Sequence, residues 1–262
     1  LQTKYNLKGE NNMVYFIGAG PGDVDLITVK GREILSKADV VIYAGSLVNS
    51  EHLKFCKEGS KIYNSASMTL PEVIEVIREF HGEDKTIVRL HTGDPAIYGA
   101  IKEQMDELEK YDIEYKVIPG VSSFSAAAAA IKKEFTLPSV SQTVILTRVE
   151  GRTPVPANQD LEILARTNAS MAIFLSISMI DKVVAKLKKG YGRGDVPIAV
   201  VERATWEDER ILLGTLDNIS EKVKEANIVK CAQILVGDFI DCDYEKSLLY
   251  DESFSHMYRK GK

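Results

Sequence analysis

The strongest constraint on this chain is a rhythm in its first half: apolar runs of strand length alternate with stretches of helical spacing. Val14–Ile17, Val40–Tyr43, Thr86–Leu90 and Tyr115–Ile118 are the runs, the last two each broken by one cation. Between them, Leu26, Val29, Leu35 and Ala38 mark one predicted helix, and Leu70 to Phe80, with Val73, Ile74 and Ile77 inside, marks another. Ile101, Met105 and Leu108 mark a third, over Ile97 to Tyr111. Such alternation predicts an α/β domain with a mostly parallel sheet covered on both faces. Pro119-Gly120 stops the fourth strand, and the pattern restarts there. Ser122 is placed to cap an Ala-rich helix through Lys132. Strands are then expected at Val144–Leu146, Ala172–Leu175, Ile198–Val201, Ile211–Leu213 and Ile234–Val236. Only Ala204 to Glu209 link the third and fourth of these, too few residues for a crossover helix. That pair must be antiparallel and the second sheet mixed.

The expected layout is therefore a polar leader or appended extension over residues 1–12, an N-terminal α/β domain over 13–119, a C-terminal α/β domain over 120–241, and a tail over 242–262. A length of 262 residues suffices for two substantial cores. The net charge of −5 disfavours a nucleic-acid partner, which needs a basic face. Cys56, Cys231 and Cys242 are scattered, without CxxC spacing, which suits a reducing cytoplasm and supports no metal site. No apolar run approaches the roughly 18 residues of a membrane span.

Four segments carry chemical information. Gly18-Ala19-Gly20-Pro21-Gly22-Asp23 follows the first strand like a dinucleotide-binding turn. Asp23, however, puts an anion where phosphates would sit, and no acid follows the second strand to hold a ribose. There is no Gly-Lys-Ser/Thr, so a Walker A loop is excluded; a plain structural turn remains open. His91-Thr92-Gly93-Asp94-Pro95-Ala96-Ile97-Tyr98-Gly99 lies at the carboxyl end of a parallel strand, the edge where open α/β sheets bind ligands. Asp94 could face that cleft, cap a helix with Pro95 in its first position, or do both. His91 reads as a core histidine. Pro119-Gly120-Val121-Ser122-Ser123 offers hydroxyls and helix N-terminal amides, or simple capping. Thr147 to Pro156 holds Arg148 and Arg152 in a loop stiffened by Pro and Gly, suited to gripping carboxylates or to plain solvation.

Taken in order, GAGPGD, GDPAIYG, PGVSS and ATWED (Ala204–Asp208) resemble the tetrapyrrole (corrin/porphyrin) methylases from about Met13 to Asp241. Within that family YAGSLV (Tyr43–Val48), SASMTL (Ser65–Leu70), RLHTGDP (Arg89–Pro95) and TRVEGRTPVP (Thr147–Pro156) resemble the branch that methylates C-11 of precorrin-4 or cobalt-precorrin-4. The uroporphyrinogen branch typically carries Lys-Gly-Gly-Asp-Pro in the second motif, and the diphthine-synthase branch lacks EGRTPVP.

The resemblance implies a kinked two-domain homodimer holding S-adenosyl-L-methionine in a cleft between the domains, with S-adenosyl-L-homocysteine as product. It places Gly93, Asp94, Ile97, Tyr98, Ser122, Ser123, Leu175, Ala204 and Thr205 at the donor. Gly20, Pro21 and Gly22 would face the macrocycle, with Ser46, Met68, Arg148 and Arg152 as further substrate residues and Asp23 as the candidate base. It implies no metal, no nucleic acid and no membrane. The readings kept beside it are a methylase of another ring carbon, a non-catalytic tetrapyrrole carrier, and a nicotinamide oxidoreductase that Asp23 argues against.

Overall fold

The computed structural model describes residues 12–45, 47–83, 85–248 and 251–260. The chain divides into two compact units, the first ending at Ser123 and the second beginning at Phe124. The proposed leader, all but Asn12, lies outside the described residues, as does Ser46.

The first unit runs β1 (Val14–Gly18), α1 (Val29–Leu35), β2 (Val40–Tyr43), β3 (Lys61–Asn64), α2 (Leu70–His81), β4 (Ile87–His91), α3 (Ile101–Lys110) and β5 (Tyr115–Ile118). The strands form one parallel sheet in the order β3-β2-β4-β1-β5. Side chains alternate between faces along each strand. Tyr15, Ile17, Val41, Val88 and Leu90 pack with Ile34 and Leu35 of α1. Val14, Phe16, Val40, Ile42 and Ile87 pack with Val73, Ile74, Ile77 and Phe80 of α2 and Ile101 and Leu108 of α3. At the N-terminus of α2, Thr69 N–H and Oγ1 both donate to Glu72 Oε2, at 2.6 and 2.7 Å, which satisfies an otherwise orphan amide.

Three expectations are corrected here. The helix drawn from Leu26 is broken: a 3₁₀ turn covers Val24–Leu26, and Thr28 then caps α1 by accepting from Gly31 N–H at 3.1 Å. That rotates Val29 outward, 74% exposed, and brings Ile34 inside. The helix expected from Ile97 starts instead at Ile101, because Tyr98 (φ 54°) and Ala100 (φ 50°) are left-handed and no right-handed helix can run through them. β3 was not expected at all; it is an edge strand with Lys61, Ile62 and Asn64 exposed, so no apolar run announces it.

The second unit contains α4 (Ser123–Ala130), β6 (Val144–Arg148), α5 (Leu161–Ala165), β7 (Ser170–Phe174), α6 (Ile180–Tyr191), β8 (Pro197–Glu202), β9 (Arg210–Thr215), α7 (Ile219–Glu225) and β10 (Ala232–Val236). Its sheet is mixed, order β6-β7-β10-β8-β9, with β6 parallel to β7 and every other pair antiparallel. β8 and β9 are antiparallel, as their short connection requires. One face of the sheet packs on α5, α6 and α7 through residues such as Met171, Ile173, Val183, Leu187, Ile198, Val223 and Ile234. The Ala-rich helix ends at Ala130, short of the expected Lys132, which is left-handed at φ 56°. Among the described residues no helix is long and apolar enough to cross a membrane.

Candidate active-site edges of the two sheets

In the first unit β1 is followed by a strand on one side of it and β4 by a strand on the other, so their carboxyl ends form the topological switch of the sheet. The two loops leaving it are tied together. Ala19 N–H donates to His91 O (2.7 Å), Gly93 N–H to Gly20 O (2.8 Å) and Gly20 N–H to Gly93 O (3.3 Å). The packing leaves no room for side chains: a Cβ on Gly120 would lie 2.2 Å from Gly93 O, and one on Gly18 would lie 2.5 Å from the same oxygen. Gly20 (φ 84°) and Gly93 (φ 60°) take left-handed backbone as well.

Asp94 ties this edge to the Pro119-Gly120 turn after β5. Its Oδ1 accepts from Ala96 N–H at 2.8 Å and its Oδ2 from Gly120 N–H at 3.0 Å. It therefore caps a turn and clamps the PGVSS segment, and it is not the N-cap of α3. Ser122 and Ser123 adjoin Gly93, whose ideal Cβ would lie 3.7 Å from Ser122 Cα and from Ser123 N. In the first loop Pro21 and Gly22 are buried, and Asn49 Nδ2 donates to Gly22 O at 3.0 Å. Asp23 is exposed and accepts from Asp25 N–H at 2.9 Å through Oδ1.

A cavity of about 270 Å³ adjoins this edge, and Met68, Ile97 and Tyr98 line it together. Buried Arg89, His91 and Gln104, none of them among the motif residues proposed for donor or substrate, share that lining. Their signal was a period-two alternation in β4, Ile87, Arg89, His91, carrying a cation at a position otherwise apolar.

In the second unit the strand register gathers the remaining candidates along one sheet edge. Arg148 is level with Phe174, Ile173 with Ile234, Ala232 with Glu202, and Glu202 with Arg210. The exits of β6, β7 and β8 and the entries of β9 and β10 thus share that edge. Four non-glycine residues there are left-handed: Leu175 (φ 54°), Arg203 (φ 50°), Thr205 (φ 71°) and Cys231 (φ 53°). Backbone strain of this kind collects at ligand sites. Leu175 is 65% exposed, and Ala204 is buried behind Thr205, whose N–H donates to Glu209 Oε2 at 2.7 Å. Ser176 Oγ, fully buried, accepts from Val149 N–H (2.9 Å) and donates to Phe174 O (2.6 Å), locking two strand exits together.

The two arginines of the Pro/Gly loop are used differently. Arg148 donates to Val149 O, Thr153 O and Pro154 O at 3.3, 3.1 and 2.8 Å, so its guanidinium braces its own loop. Arg152 is exposed. Glu150 anchors the same loop to α6: Lys182 at 2.8 Å, followed by Lys186 at 3.2 Å, brings its carboxyl down to about 2. Among the described residues no three His, Cys, Asp or Glu side chains are grouped to hold a metal.

Residues 13–220 match the family model of the tetrapyrrole (corrin/porphyrin) methylases. A cobalt-precorrin-4 C(11)-methyltransferase of Methanocaldococcus jannaschii is 55% identical over 252 residues, spanning 96% of this chain and 97% of that one. The X-ray structure of a cobalt-precorrin-4 methyltransferase superposes with a TM-score of 0.86 at 44% identity, covering 88% of this chain and 97% of the other. A uroporphyrin-III C-methyltransferase from Thermus thermophilus, solved with S-adenosylhomocysteine, superposes at 0.73 with 25% identity, over 89% and 96%.

Proposed function

Because the chain belongs to the tetrapyrrole (corrin/porphyrin) methylases, we propose that it is an S-adenosylmethionine-dependent methyltransferase of cobalamin biosynthesis acting at C-11 of cobalt-precorrin-4. The observation that carries this is near-full-length identity of 55% to a relative with that activity. The structure supports it with two strained, backbone-rich sheet edges where the family's motifs fall.

The donor set suits a sulfonium nucleoside. Tyr98 and Leu175 are exposed apolar surfaces on left-handed backbone, and Gly93, Asp94, Ile97, Ser122, Ser123, Ala204 and Thr205 complete the proposed contacts. Bound there, the donor supplies a methyl group already activated on sulfur. A ring carbon, electron-rich like an enamine, forms the new C–CH₃ bond as the S–CH₃ bond breaks, and the ring then loses a proton. This chain contributes orientation, which lowers such barriers by several kcal/mol, on the order of 7–11 for well-aligned reactants. Gly20, Pro21 and Gly22 form the rigid face toward the macrocycle, with Ser46, Met68 and Arg152 as further substrate contacts. Asp23, an exposed carboxylate on that loop, is the proposed proton acceptor. The working form is a cytoplasmic homodimer.

Incubation with methyl-labelled donor and precorrin-4, with and without cobalt, tests the reading. Label at C-11, favouring the cobalt form, is expected. Label at C-2, C-7 or C-17 would overturn the position while leaving a methylase.

A further inference from the structure

The face of the first sheet that packs beneath α2 and α3 changes character along β4. Ile87 lies in an apolar core, but alternation carries Arg89 and His91 onto the same face toward the carboxyl end. Both are buried, 7% and 5% exposed, with Gln104 of α3 at 6%. Arg89 Nε donates to Gln104 Oε1 and its Nη1 to Ile42 O, both at 3.1 Å. Gln104 Nε2 donates in turn to Ala100 O at 2.9 Å, which fixes the amide with its oxygen toward the guanidinium.

What is missing is a counter-ion. Among the described residues no carboxylate pairs with Arg89, and its hydrogen bonds engage Nε and Nη1 alone. His91 Nε2 is buried without a partner. Burial, then the neighbouring Arg89, bring the imidazole down to about 3, so it is neutral; Arg89, lowered by burial to about 10, remains a cation. A buried cation without an anion, beside an unsatisfied ring nitrogen, is unfavourable for folding alone. Both residues line the cavity of about 270 Å³. Such a space has room for a short side arm.

We propose that this cavity receives one carboxylate arm of the tetrapyrrole, an acetate or propionate, gripped by Arg89 Nη2 and by His91 in its Nε2–H tautomer. The inference rests on the substrate class assigned above and deepens it. A guanidinium and a neutral N–H are both donors, and a carboxylate accepts from both. The α-amino-acid end of the methyl donor is the other carboxylate at hand, but it brings an ammonium. The buried lining offers no anion for that group; Glu103, the lining carboxylate, is exposed on α3. Arg89 thus selects among polycarboxylate macrocycles by which arm can reach it.

Arg89→Met and His91→Phe, made in the full chain, test this with two readouts: kcat and KM for cobalt-precorrin-4, and S-adenosylhomocysteine affinity by calorimetry. Arg89→Met should raise KM for the macrocycle about tenfold, the loss of one charge-assisted contact, with donor-product affinity within about twofold of wild type. Its melting temperature is measured alongside, because removing the unpaired charge is offset by leaving Gln104 Oε1 and Ile42 O without their donor. His91→Phe should raise KM about threefold, the loss of one N–H donor to the carboxylate, with kcat little changed. Unchanged KM in both variants of an active enzyme overturns the inference alone. Weakened S-adenosylhomocysteine binding with unchanged KM assigns the cavity to the donor and also overturns it. A wild-type protein that methylates no tetrapyrrole overturns the functional reading beneath it. Should Arg89→Met fail to fold, His91→Phe decides the matter.

Discussion

The carboxyl edge of the parallel sheet and the corresponding edge of the mixed sheet both carry left-handed backbone, yet they reach it with different residues. In the first unit, next to the strand ends, Gly18, Gly20, Gly93 and Gly120 are glycine because two of them touch backbone where a Cβ would fall and two take positive φ, while Tyr98 and Ala100 are left-handed with side chains only farther along the loop after β4. In the second unit Leu175, Arg203, Thr205 and Cys231 hold positive φ with side chains attached. Each such residue costs roughly 1–2 kcal/mol that glycine would not. The first edge is thus built for close approach of chain to chain. The second keeps strained side chains where glycine would be more relaxed, the pattern expected if the proposed contacts of Leu175 and Thr205 with the donor hold.

The comparison can be broken most severely at Gly120. Gly120→Ala puts a methyl 2.2 Å from Gly93 O and 2.8 Å from Gly18 Cα, both backbone atoms that cannot swing aside. A loss of about 3 kcal/mol in urea-unfolding stability is expected, the upper range for overpacking. Stability within experimental error of wild type would show that the edge is not close-packed.

Asp94→Ala comes next. It removes two backbone N–H bonds to a carboxylate, about 2 kcal/mol together after solvent exposure of one is allowed for. S-adenosylhomocysteine affinity should fall more than folding stability does, because the carboxylate holds the loop that carries Ile97 and Tyr98. Equal losses in the two measurements would reduce Asp94 to a structural clamp.

Leu175→Gly sharpens the contrast from the other side. Leu175 is mostly exposed, so little burial is lost, and relief of its left-handed backbone should raise stability by about 1 kcal/mol. Donor-product affinity should fall at the same time. Greater stability with unchanged affinity would leave the strain at this edge without a ligand-binding purpose.

How far the chain could be read without its structure varies by element. β2 is a continuous apolar run and β5 is one broken only by Lys116; both match their expected bounds to the residue, and α2 shows its buried stripe of Val73, Ile74 and Ile77 directly. β3 has no such run, since an edge strand keeps its place by backbone pairing to β2 and needs no apolar side chains. The start of α3 was misplaced because Ile97 fits the helical period, while the left-handed turn at Tyr98 and Ala100 has no Gly or Asn to announce it. Arg148 could be seen as a cation in a stiff loop, but not as one whose donors are taken by that loop's own carbonyls.

Local sequence determined most of the strands and helices, though not β3 or the starts of α1 and α3, and it determined that β8 and β9 must be antiparallel and which ordered motifs assign the family. Those properties depend on periodicity, chain length and residue type within a few dozen positions. Tertiary structure alone decided that Asp94 reaches Gly120, that Gly18 and Gly120 crowd the Gly93 oxygen, and that Arg89, His91 and Gln104 meet without a carboxylate. Hydrogen-bond partners and steric limits of that kind arise between residues far apart in sequence. They are set by sheet order, and the order β3-β2-β4-β1-β5 puts β4 beside β1, bringing residues more than seventy positions apart within hydrogen-bonding reach.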